Sequence, residues 1–260
     1  MKQLRTNLNQ RANTVGKVAL TVAVAMSLGM AVIPARADAY LFSASSPDGK
    51  LSASVDFSLS ASGTDLIVTL INTSMADVLK PSGVLTGVFF DIAGVSSLSR
   101  SSAVLAPSSS VIDGTTDPGG VVGGEWGYRA GLSGAPLGAT QGISAAGFGL
   151  FGPGDRFPGT NLAPPPSGSL AGVEYGITSA GDVEATGNVD GTPLIKNSVV
   201  FTLGGLPSGF TESAISNVSF QYGSNLDGNI PAVPEPGTLL LLGSGVVGMG
   251  MFGRYISRRS

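Results

Sequence analysis

The clearest pattern along the chain is an alternation of apolar and polar residues over Leu51–Leu59. Apolar side chains occupy every second position, and serine or aspartate fills the positions between them. This period of two predicts a β-strand with one buried and one solvated face. Ser60–Thr64 then predicts a hairpin loop, and Asp65–Asn72 predicts the return strand. Because Leu66–Ile71 is almost continuously apolar, we expect the return strand to be buried on both faces.

Four later segments also predict short strands, namely Val84–Ile92, Val173–Ile177, Ser198–Leu203 and Ile215–Tyr222. Glycine, serine and proline separate them, and no segment between the two chain ends has a sustained helical period. Many short strands without helices are typical of two packed sheets. We therefore predict an all-β fold, an antiparallel β-sandwich ectodomain over residues 38–229.

Residues 96–172 change character and form a long insert rich in Gly, Ser, Ala and Pro. Loops of this length are unusual inside a compact domain. We expect the insert either to carry function or to be poorly ordered in part.

The N-terminal 37 residues have the layout of a secretory signal peptide. A basic stretch precedes an uncharged apolar run over Val18–Val32. An Ala-x-Ala site follows at Ala35 and Ala37, which predicts cleavage by signal peptidase before Asp38.

The C-terminal residues combine three parts in a fixed order. Residues 230–237 read as a linker and a Pro-Glu-Pro motif, made of Val233, Pro234, Glu235, Pro236 and Gly237. Two prolines keep such a segment extended and accessible to an enzyme. Residues 238–260 then predict a single transmembrane helix and a basic tail with Arg254, Arg258 and Arg259, which resists translocation.

This arrangement resembles the PEP-CTERM domain, the sorting signal of exosortase substrates in Gram-negative bacteria. The resemblance implies a route with exosortase as the processing enzyme. The chain would be exported, held transiently in the inner membrane, cut near the motif and passed to the cell surface or extracellular matrix. It also implies an association with extracellular polysaccharide and biofilm, from which we expect a structural or adhesive role.

Composition limits the other functions. Between residues 38 and 232 there are six basic and sixteen acidic residues, which gives a net charge of −10. Nucleic acid is therefore a poor partner. The chain contains no Cys and no His, which removes disulfides, the usual general base and the usual zinc ligand. We expect no enzymatic activity and no cofactor.

One motif in the insert suggests an alternative function. Glu125, Trp126, Tyr128 and Arg129 place the only tryptophan beside a tyrosine and two charges. On a surface, the rings could stack on a sugar while the charged groups bind its hydroxyls, giving a polysaccharide-binding module. The other interpretation is that Trp126 and nearby phenylalanines plug the end of the sandwich core, since large aromatic side chains are mostly buried.

Two further kinds of chemistry have weaker support. Asn225, Asp227 and Asn229 surround a glycine with oxygen ligands of the type that calcium accepts, but Asx-Gly pairs are also common hairpin turns. We expect no metal there. Glu125 and Glu174 could form a glycosidase pair only if the fold placed their carboxylates at the spacing that the mechanism requires.

Overall fold

The computed structural model describes residues 40–163, 170 and 172–235, in which the regular elements are strands and short 3₁₀ turns joined by loops. The strands are β1 Tyr40–Ser45, β2 Ser52–Leu59, β3 Asp65–Asn72, β4 Leu85–Ile92, β5 Ser99–Leu105, β6 Ser110–Ile112, β7 Gly127–Ala130, β8 Gln141–Ser144, β9 Ile177–Thr178, β10 Leu194–Lys196, β11 Ser198–Gly204, β12 Ile215–Tyr222, β13 Asn229–Pro231 and β14 Val233–Pro234. The 3₁₀ turns are Pro81–Gly83, Gly123–Glu125, Pro136–Gly138, Pro153–Asp155, Gly187–Val189, Glu212–Ala214 and Leu226–Gly228.

The strands form two sheets. Sheet I has the order β14-β1-β2-β3-β11-β5. Sheet II has the order β13-β12-β4-β9-β10-β6, and β8 pairs with both β4 and β7. All of these pairs are antiparallel except β9 with β10. The all-β prediction is confirmed for the described residues, and two such sheets are consistent with the predicted sandwich.

The predicted hairpin is present as β2 and β3. Val55 pairs with Leu70 at its centre, and Gly63 has the positive φ of 71° that its tight loop requires. However, β3 buries only alternate positions, so Ile67 and Ile71 remain partly exposed. The expectation of burial on both faces is wrong, because nothing in the described structure covers the outer face of β3 as sheet II covers its inner face.

The core fills the space between the inner faces of the two sheets. Phe57 in β2 and Phe90 in β4 meet with ring centroids 5.3 Å apart, which joins sheet I to sheet II directly. Phe42 lies on Phe57 at 5.9 Å, and Phe201 and Phe220 are also fully or almost fully buried. Each fully buried side chain of this size stabilises the fold by about 1.5–3 kcal/mol.

The insert is largely structured. It supplies β5 to sheet I and β6, β7 and β8 to sheet II, so the expectation of a loop region is wrong for these strands. Successive side chains of β4 point to opposite faces. Phe90 therefore faces sheet I, whereas Phe89 packs outward against Leu132, Phe151 and Leu170 of the insert. The insert thus covers the outer face of sheet II around Phe89, and residues on either side of the insert, among them Val78, Ala185 and Val189, pack against Val84 and Leu194.

Two boundaries differ from the prediction. The strand expected at Val173–Ile177 is only Ile177–Thr178, because the residues before it form a turn. Within the expected linker, β13 pairs with β12 of sheet II and β14 pairs with β1 of sheet I. The chain therefore passes from one sheet to the other at Ala232.

In the described residues, no helix is long and apolar enough to cross a membrane. The predicted signal peptide, residues 1–37, and the predicted membrane segment, residues 238–260, lie outside the described residues.

Candidate functional site

Trp126 lies in the core. Its side chain is 0% exposed, and its ring centroid lies 5.0 Å from that of Phe201 in β11. Phe157 packs on the same phenylalanine at 5.4 Å. A sugar cannot stack on an indole without an exposed face. This burial is incompatible with the predicted stacking of a sugar on Trp126. The structure instead agrees with the other interpretation, in which Trp126 packs in the sandwich core.

Tyr128 is also buried, and its hydroxyl is used within the fold. It donates a hydrogen bond to Gln141 Oε1 at 2.7 Å and accepts one from the backbone N–H of Leu98 at 3.1 Å. Burial raises the pKa of Tyr128 to about 12. The hydroxyl is therefore a neutral bridge between the start of β5 and β8, not a group facing a ligand.

Glu125 holds a loop of the insert. Its Oε1 accepts hydrogen bonds from the backbone N–H groups of Leu162 and Ala163, the latter at 3.1 Å. The two preceding glycines make room for this loop. A Cβ on Gly124 would lie 1.8 Å from the carbonyl oxygen of Thr160. The carboxylate that the glycosidase hypothesis needs is thus committed to backbone amides.

Arg129 is the one exposed member of the predicted set. Its guanidinium donates to the carbonyl of Leu150 at 2.9 Å and lies 3.6 Å from the carboxylate of Asp155. Glu125, Trp126, Tyr128 and Arg129 are close in sequence, but in the structure each contacts different structural partners. They do not form a shared ligand surface.

The calcium candidates belong to a turn that is bonded to β12. Gln221 Nε2 donates to the carbonyl of Asn225 at 2.6 Å, and Asn229 Nδ2 donates to Ser219 Oγ at 2.9 Å. Asp227 is exposed. In the described ranges, no three His, Cys, Asp or Glu side chains are grouped to hold a metal ion. These residues act here as a turn.

A pair of aspartates was missed by the sequence reasoning. Asp182 is 3% exposed, and both of its carboxylate oxygens accept from the backbone N–H of Val78, at 3.3 and 3.2 Å. Burial raises the pKa of Asp182 to about 6, and a side-chain hydrogen bond from the protonated Asp182 to the Asp77 carboxylate contributes to the rise. No local pattern could reveal this pair, because the partners lie more than a hundred positions apart in the chain.

The first part of the sorting motif is paired with the first strand. Val233 lies opposite Ser43 and Pro234 opposite Phe42, and the N–H of Glu235 donates to the carbonyl of Leu41 at 2.9 Å. The sequence predicted an extended segment here but not its partner. The apolar start of β1, immediately after the predicted cleavage site, was the available signal for a further strand.

The remaining predicted site residues lie outside the described residues. They are Ala35, Ala37 and Asp38 at the predicted cleavage site, and Pro236, Gly237, Arg254, Arg258 and Arg259 in the sorting signal.

Residues 232–259 match the family model of the PEP-CTERM protein-sorting motif. The chain therefore carries the sorting signal that its sequence predicted. This motif directs export and membrane-associated, exosortase-dependent sorting toward the cell surface, with the exosortase as processing partner. No curated protein and no solved structure matches the chain.

Proposed function

We propose that the ectodomain is a structural or adhesive component of the cell surface and its polysaccharide matrix. The observation that carries this proposal is the outer face of sheet I. Whereas the insert and neighbouring loops pack against sheet II from outside, the outward side chains of sheet I are all partly exposed.

This open face runs across five strands. Its members are Leu41, Ser43, Ser54, Ser58, Ile67, Thr69, Ile71, Val200, Thr202, Ser102 and Val104. Two rows cross it in register, one from Thr69 through Val200 to Val104, the other from Ser58 through Ile67 and Thr202 to Ser102. Neighbouring strands lie about 4.8 Å apart, so four strands in one row present a surface nearly 15 Å wide.

The chemistry of the face suits a neutral, extended polymer. Serine and threonine hydroxyls can both donate to and accept from sugar hydroxyls. The short aliphatic side chains between them supply flat apolar contact. A net charge of −10 over residues 38–232 opposes contact with polyanions. We therefore propose uncharged polysaccharide strands as the partner of this face.

The test is a charged substitution at the centre of the face. The double variant Thr69→Lys and Thr202→Lys places two long cationic side chains on adjacent strands of this surface, with Ala61→Lys in the exposed β2–β3 loop as control. Matrix retention is measured after washing intact biofilm. We expect the control to stay in the matrix and the double variant to reach the surface, retain its melting temperature and wash out. Equal retention of the two would refute the open face as the adhesive surface.

A further inference from the structure

The sorting motif is not a free tail in this structure, because it forms the edge strand of sheet I. β14 is the outermost strand, and its neighbour β1 begins two residues after the predicted mature N-terminus. The first strand of the described chain and the start of the sorting motif therefore lie at the same edge of one sheet. This juxtaposition links the start of the mature chain to the processing of its end.

The hydrogen-bonding pattern of the edge follows from one measured contact. Glu235 donates its N–H to the carbonyl of Leu41, which makes these two residues a hydrogen-bonded antiparallel pair. Such pairs alternate, so Ser43 and Val233 form the next one. The N–H of Ser43 consequently points toward β14, whereas that of Phe42 points toward β2.

Pro234 lies between those two pairs, opposite Phe42. Its backbone nitrogen therefore faces away from β1, on the open side of the sheet. Proline carries no N–H, so this edge offers no donor at that position to another strand. The same residue that belongs to the sorting motif thus also ends sheet I.

We propose that pairing with β1 withholds the motif from the exosortase, so that β14 must leave the sheet before the chain is cut. The inference rests on exosortase-dependent sorting. An enzyme that grips an extended peptide uses the backbone groups and both flanks of the strand. In the folded chain the backbone of Glu235 is occupied by Leu41, and β1 lies within one strand spacing on that flank.

The pairing of β14 with β1 is short and opens readily. β14 has only two residues, and the side chain of Val233 is 66% exposed. One backbone hydrogen bond changes the equilibrium between paired and unpaired β14 by only about fivefold. A pairing this short can therefore open without unfolding the rest of the sheet. β1 is therefore a weak internal competitor for the segment that the enzyme must bind, and its strength sets the rate of processing.

The first test locks the strand in place. The pair Ser43→Cys and Val233→Cys joins two residues whose Cα atoms lie about 5.5 Å apart in a pair of this type, which a disulfide can bridge. The natural chain contains no cysteine, so no other disulfide competes. The matched control is Ser45→Cys with Ser52→Cys, which locks β1 to β2 and leaves β14 free.

Processing is followed in a strain that contains the exosortase, with non-reducing gels of the inner-membrane fraction. We expect loss of the cut form in the Ser43–Val233 pair, and recovery when isolated membranes receive a reducing agent. The control pair and the single Val233→Cys variant should be cut as in wild type. A locked chain that is cut at the control rate would overturn the proposal.

The second test weakens the contact, which guards against a locked variant that fails to fold. Ser43→Pro removes the N–H that points toward Val233 but keeps the bonds of β1 to β2. Ser45→Pro is the matched control, because its N–H has the same orientation and lies beyond the end of β14. We expect several-fold faster cutting of Ser43→Pro than of Ser45→Pro. Equal rates would refute the role of β1.

Whether the wild-type chain is cut tests exosortase-dependent sorting. Whether the lysine variants stay in the matrix tests the adhesive role. Each can therefore fail without the other.

Discussion

At the scale of single residues, the Gly-Gly-Glu-Trp stretch resembled part of a ligand site, but its residues make structural contacts within the fold. Trp126 enters the core, Glu125 anchors the backbone of Leu162 and Ala163, and the glycines let residues 158–160 approach. Each residue type is needed for a contact within the fold. A cluster of aromatic and charged residues in a glycine-rich segment therefore does not by itself indicate a ligand site.

Gly124→Ala should destabilise the released protein by about 1–3 kcal/mol, the typical cost of forcing extra atoms into a packed region. A Cβ at this position would lie 1.8 Å from the carbonyl oxygen of Thr160, so the loop would have to move. Urea unfolding gives the difference. Gly154→Ala is the control, because its Cβ would meet nothing within 4 Å. Equal midpoints would mean that the loop moves freely.

Trp126 is the only tryptophan, so its fluorescence reports on one site. Because the indole is 0% exposed, we expect blue-shifted emission, weak quenching by iodide and no change on adding the host's exopolysaccharide. Unfolding in urea provides the exposed reference. A polysaccharide-dependent shift in the folded protein would restore the hypothesis of a glycan site around Trp126.

At the scale of elements, arginines hold the strands and loops of the insert together. Arg100 donates to the carbonyls of Tyr128 and Gly154, Arg129 to that of Leu150, and Arg156 to that of Gly124. An Arg guanidinium has several donors in a rigid fork, so one side chain can hold two loop carbonyls. Three of the six basic residues between residues 38 and 232 serve this purpose.

The Asp182 contact joins another two loops and should make stability depend on pH. The folded pKa is raised to about 6, above the value of about 3.9 expected for an unfolded chain. Between these values the folded state binds more protons, so stability should fall as pH rises from about 4 to 6. Asp182→Asn keeps an acceptor for the Val78 N–H and should remove this slope from the melting temperature.

The control for this measurement is Asp227→Asn, which changes an exposed carboxylate in a turn. It should leave the slope between pH 4 and 6 intact. Asp91 should have the opposite effect on stability. Burial alone would raise its pKa, but hydrogen bonds from Thr140 and Asn217 lower it. The stability that Asp91 contributes should therefore be lost as the pH falls below about 4. An unchanged slope in Asp182→Asn would assign the pH dependence to other groups.

At the scale of the whole molecule, the fold brings the two ends of the described chain together. β1 and β14 are neighbours, although about 190 residues separate them along the chain. The open face of sheet I and the covered face of sheet II also distinguish the two sides of the sandwich. A protein released by cutting after β14 would keep the open face of sheet I intact.

Glu235→Ala separates recognition by the enzyme from release of the strand. Glu235 contacts β1 through its backbone N–H, so the substitution should leave the β14 pairing in place. We expect an uncut protein in the inner-membrane fraction, with an unchanged melting temperature. The mass of the surface form measures this outcome. If the variant reached the surface at the wild-type mass, the Pro-Glu-Pro motif would not be the signal that is read.

The sequence by itself determined the β class, the β2–β3 hairpin, β11, β12 and the sorting signal, because each depends on residues that are close along the chain. Strand alternation and the order of a tripartite signal are local properties. Only the tertiary structure decided that Trp126 is buried, that β3 has one open face and that Asp182 meets Val78. It also decided that the sorting motif pairs with β1. These facts depend on contacts between distant segments, and residue type alone leaves open which face of a strand or ring another element will cover.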